Sequence, residues 1–97
     1  MITREKALES EGYKRIPPAV LNSLYNYIQH HQCPGHFVQA VLSNDLDGAF
    51  RYADRDSLAA MHDIVQFVHH ELPGNAHGSP EAVASWLLTA DTPRALF

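Results

Sequence analysis

Apolar residues recur at three- and four-residue intervals along most of the chain, and no stretch alternates apolar with polar as a strand does. Val20, Leu21, Leu24, Tyr27 and Ile28 form one stripe that predicts a helix from Pro18 to about His31, with Asn22, Asn26 and Gln29 on its wet face. Pro17-Pro18 cannot sit inside a helix, but proline suits a first turn, where the missing N–H has no partner to lose. Pro34 in the same role opens a helix to about Leu42, with Phe37, Ala40 and Val41 inward. Ser43-Asn44-Asp45 is a capping cluster, after which Leu46, Ala49, Phe50 and Ala53 mark the core face of a short helix from about Asp45 to Ala53. Gly48 weakens that helix by about 1 kcal/mol relative to alanine and would let a neighbouring helix come close. A second cap cluster, Asp54-Arg55-Asp56, precedes the strongest stripe: Leu58, Met61, Ile64, Val65, Val68 and Leu72, stopped by Pro73-Gly74. Residues 74–78 read as a loop. Ser79-Pro80-Glu81 then combines cap, first-turn proline and first-turn acid, and Val83, Trp86, Leu87 and Ala90 continue as a core face until Thr92-Pro93.

The expectation is an all-α, single compact domain of four to five short helices. Residues 1–15 form a polar N-terminal segment, at most a weak helix capped by Thr3 and broken at Gly12. Residues 16–91 form the helical domain, and residues 92–97 a C-terminal tail. The chain's 97 residues suffice for one modest core, and a hydrophobic fraction of 45% argues against wholesale disorder. Eleven Asp and Glu against seven Lys and Arg give a formal charge of −4, a poor balance for coating nucleic acid. One cysteine excludes an intrachain disulfide and suits a reducing compartment. With no signal peptide and no apolar run of membrane-spanning length, the expected location is the cytoplasm, with no membrane association.

Three blocks carry a resemblance: Ile16-Pro17-Pro18, the run from Pro34-Gly35-His36-Phe37 through Ala40-Val41-Leu42-Ser43-Asn44-Asp45-Leu46, and Gly78-Ser79-Pro80-Glu81 with Val83 and Trp86. Together they resemble a family of small proteins from phages, prophages and other mobile elements, across roughly residues 16–87. The second block is the more specific, because any capped helix can look like the third. The family has no settled function, so it carries no catalytic residue over. It implies a short accessory gene product in a bacterial cytoplasm, acting on host or phage machinery. The sequence departs from the family's expected pattern at Cys33, where a small residue or proline would stand, and this weakens any role resting on that thiol.

Seven histidines are a rich supply of ligands, and Cys33-x-x-His36 has the spacing of a zinc half-site. A second half would have to come from His69, His70 or His77, and no further paired-ligand motif supports it; solvated or capping histidines are the plainer account. Cys33 with His36 is also the only compact nucleophile–base pair, but no third group or oxyanion-hole motif accompanies it. Neither a paired-carboxylate site nor a glycine-rich phosphate loop is legible, so no enzyme activity and no cofactor are expected.

Between residues 44 and 63, Asp45, Asp47, Asp54, Asp56 and Asp63 face only Arg51 and Arg55. Such a surface would engage a basic partner, although helix capping accounts for at least two of these acids. Trp86, Tyr25, Tyr27, Phe37, Phe50 and Phe67 read mostly as core, Tyr25 and Phe67 lying off their helices' main stripes. The function expected is non-catalytic protein–protein interaction by a phage or mobile-element protein that inhibits or modulates host defence or replication machinery, through the five aspartates. Its partner would be a host or phage protein, and a homo-oligomer stays open. The alternative is a small zinc-binding regulator using Cys33, His36 and the downstream histidines.

Overall fold

The computed structural model describes residues 2–89, and over them the protein is all-α. Seven α-helices follow in order: α1 (Arg4–Glu9), α2 (Pro18–His30), α3 (His36–Leu42), α4 (Leu46–Tyr52), α5 (Arg55–Ala59), α6 (Met61–Glu71) and α7 (Pro80–Thr89), with a 3₁₀ turn at Gly74–Ala76 before the last. The expected tail at 92–97, the end of the final helix after Thr89 and the core position given to Ala90 lie outside the described residues.

The caps read from sequence act as caps. The Thr3 hydroxyl accepts from the Lys6 N–H, Asp45 from Gly48, Asp54 from Ser57 and Ser79 from Ala82, at 3.3, 3.0, 2.7 and 3.1 Å. Each satisfies an amide that the first turn leaves without a carbonyl. Two boundaries differ from expectation. The third helix starts at His36 rather than Pro34: Gly35 is its N-cap, and the Pro34 carbonyl is taken by the Gln39 side-chain amide at 2.7 Å. The long stripe from Leu58 to Leu72 is not one helix. It breaks at Ala60 (φ −100°, ψ 12°), which is buried, so α5 and α6 present different faces to the core.

The core is built on α2 and α6. Tyr27, Leu21 and Leu24 from the former meet Ile64, Phe67 and Val68 from the latter, with Ile16, Leu42 and Val83 closing around them. Burying each such side chain contributes roughly 1.5–3 kcal/mol. Tyr25 and Phe67 are buried as expected, their rings tilted at a 6.0 Å centroid separation. Polar ties hold the periphery. The Tyr27 hydroxyl donates to the Ala76 carbonyl at 2.7 Å, and the Trp86 indole N–H to the Tyr27 carbonyl at 2.8 Å. His31, the left-handed cap of α2 (φ 52°), stacks on Trp86 at 4.5 Å. Its Nδ1 lies 2.8 Å from the Trp86 carbonyl, which can only accept, so that nitrogen carries the proton. The N-terminal segment is fastened by Glu71, whose carboxylate accepts from the Ile2 amide at 2.9 Å and the Tyr13 hydroxyl at 3.2 Å, while the Tyr25 hydroxyl donates to the Ile2 carbonyl. Burial, reinforced by Glu71, raises the Tyr13 pKa; burial first and Glu71 second raise that of Tyr25.

Candidate interaction site

The α3–α4 hairpin departs most from the sequence expectation. Leu46, Ala49 and Phe50 were expected to face the core, yet α4 buries only Gly48 and Ala49. The reason is the small side of the helix. A Cβ on Gly48 would stand 3.2 Å from the Cβ of Ala40, so α4 lies against α3 along its glycine-alanine edge. A left-handed Asn44 (φ 62°) makes the reversal, and the Asp45 N–H closes it on the Ala40 carbonyl at 2.8 Å. Packing on that edge turns the large apolar residues outward: Leu46 is 73% exposed and Phe50 51%. Val65 on α6 (37%) and Leu58 on α5 (49%), both expected in the core, are exposed as well.

Leu46 and Val65 border a hollow of about 140 Å³ between α3, α4 and α6. Its walls are Ala40, Val41, Ala49, Met61 and Val68, and its polar rim is Asn44, Asp45 and His69. Phe50 stands one turn beyond Leu46 on the same face of α4. A volume of this order accommodates a benzene-sized group. A larger hollow, about 500 Å³, lies between the N-terminal segment and α2, lined by Ile2, Thr3, Arg4, Glu5, Tyr25, Asn26, Gln29 and His30. Its mixed charges and mostly polar walls offer no apolar anchor point.

The five aspartates do not gather at one hollow. Asp45 caps α4 and borders the groove just described. Asp47 pairs with Arg51 at 2.6 Å on the exposed side of the same helix. Asp54 caps α5 and borders a separate cleft with His36, Phe37 and Tyr52. The amide and hydroxyl of Ser57, aided by the Asp56 amide, hold the Asp54 carboxyl below its ordinary pKa. Asp56 borders a third depression beside Lys14, Arg15 and Pro17-Pro18. Asp63 is largely covered, 3.6 Å from the His62 imidazole.

The histidines and Cys33 do not assemble the zinc site weighed from spacing. Cys33 is exposed, its thiol 3.6 Å from the Pro34 carbonyl, and the His36 ring stacks on Tyr52 at 5.1 Å. His69 meets His77 edge to face at 5.4 Å. Burial, and secondarily His69, lowers the His77 pKa, and the buried His77 Nε2 has no hydrogen-bond partner. His70 is exposed on the last turn of α6. Among the described residues, no three His, Cys, Asp or Glu side chains converge as a metal would need. No described helix is long and apolar enough to cross a membrane.

The groove is what sequence reasoning missed. The available signal was the row of small residues at Ala40, Gly48 and Ala49, which gives a helix a close-packing edge opposite its bulky side chains. No protein-family model, curated protein or solved structure matches the chain.

Proposed function

We propose that the protein is a non-catalytic protein–protein interaction module whose binding face is the groove between α3, α4 and α6. The observation that carries this reading is the placement of Leu46 and Val65, large apolar side chains left in solvent on the two sides of one hollow, with Phe50 beside them. Clustered exposed apolar side chains around a concavity mark contact surfaces, because covering them releases the same hydrophobic free energy that builds a core. Asp45 at the rim and Asp47 next to Leu46 add charge, which governs partner choice and encounter rate more than affinity. The sequence resemblance to phage and mobile-element proteins supplies the context: an accessory protein that inhibits or modulates a host defence or replication complex in a bacterial cytoplasm.

The test is parallel affinity capture from bacterial lysate with the wild-type chain and Val65→Lys, a substitution at a partly exposed site. A partner retained by the wild type and lost by Val65→Lys, with unchanged melting temperature, is the expected result. Equal capture by both chains would remove the groove from the account.

A further inference from the structure

We infer that the groove takes a short cationic segment of a different protein, one aliphatic side chain entering the hollow and flanking Lys or Arg residues lying against Asp45 and Asp47. This rests on the reading of the groove as the binding face and adds the chemistry of its occupant. The hollow's volume, about 140 Å³, suits one side chain of Leu, Ile or Met size rather than a whole helix face. Its charge is one-sided. Among the described residues no Lys or Arg lines it, and Asp45 at the rim is an exposed carboxylate that already caps α4, so it is fixed in place before a partner arrives. Asp47 adjoins Leu46, and its pairing with Arg51 is solvent-exposed and exchangeable. Beyond the hollow the bias persists: among the described residues from 16 onward, Arg51 and Arg55 stand against seven carboxylates. That field attracts a cationic segment and repels an acidic one.

A second copy of the chain fits worse. A two-fold pairing through this groove would bury two copies of the same acidic rim, Asp45 and Asp47, in one interface whose described lining supplies no Lys or Arg to pair them. The exposed apolar set here is three side chains, Leu46, Phe50 and Val65. It is in scale with a peptide anchor.

A random peptide library displayed on particles, selected on the wild-type chain and counter-selected on Val65→Lys, tests the inference without presuming a sequence. Enriched peptides should pair at least one Leu, Ile or Met with two or more Lys or Arg. Such a peptide should bind Asp47→Lys roughly tenfold more weakly than wild type. Enrichment of neutral or acidic peptides would overturn the cationic occupant while leaving the groove as a docking face. No enrichment over the Val65→Lys background would overturn both. Sedimentation of the chain alone should show a monomer. Self-association abolished by Val65→Lys would overturn the inference in favour of a second copy.

Discussion

Gly48 and Ala40 meet so closely that a methyl group on the glycine would press against the Ala40 methyl at 3.2 Å and collide with the Asp45 carboxylate. That contact sets the spacing of α3 and α4 and so the outward turn of Leu46 and Phe50. Gly48→Ala should therefore destabilise the protein, although alanine in a helix interior is ordinarily better by about 1 kcal/mol. The new methyl displaces the Asp45 cap, costing about 1 kcal/mol, and forces the helices apart against a packed contact. Chemical denaturation should show a lower midpoint with an unchanged slope; a higher midpoint would mean that the two helices yield freely.

The Tyr27 hydroxyl is buried and donates to the Ala76 carbonyl. Burial, with a smaller contribution from Cys33, pushes its pKa up from 10.0 to about 12. A raised pKa means that the folded state prefers the neutral phenol. Its stabilising contribution is complete below pH 10 and is lost as pH climbs towards 12. Ultraviolet titration of phenolate should show Tyr27 ionising last, together with alkaline unfolding. Tyr27→Phe should remove that step and lower stability by about 1–3 kcal/mol, because the Ala76 carbonyl loses its donor.

Asp54 behaves in the opposite sense. Its carboxylate accepts from the Ser57 amide, and its pKa lies below the ordinary 3.8. The stabilisation it gives α5 is complete above that value and disappears as pH falls through the lowered pKa. Stability measured across the acid range should fall less steeply in Asp54→Asn than in the wild type. Identical acid limbs would show that this cap does not contribute.

Asp47→Lys separates charge from folding. Its partner Arg51 sits in solvent, and exposed pairs of this kind contribute roughly 0–1 kcal/mol. The melting temperature should barely move, while association with a cationic partner slows and loses its dependence on salt. Reversal at Asp54 is the poorer probe, since it also removes a cap.

Much of the fold was legible before any coordinates. The capping residues Thr3, Asp45, Asp54 and Ser79, the proline starts at Pro18 and Pro80, and the inward stripes of α2 and α6 follow from spacing and local hydrogen-bond chemistry. The break at Ala60 was not legible. No glycine or proline announces it, and only tertiary packing decides that Leu58 points out while Ala60 points in. The groove was hidden for a related reason. Periodicity marks which residues are apolar on a helix, not which side of a short helix the neighbour chooses, and on α4 the neighbour chose Gly48 and Ala49 over Leu46 and Phe50. The five aspartates were visible as a charge run. Their spread over separate hollows depends on turns at Asn44, Ala53 and Ala60 that a composition window averages away.

The most direct measurement is a methyl-resolved NMR spectrum of the full chain, free and bound to the partner it captures. The account predicts that the largest changes fall on Val41, Leu46, Met61 and Val65, with the core methyls of Leu21 and Ile64 nearly still. Changes centred instead on the N-terminal hollow around Ile2, or on no contiguous set of residues, would contradict it.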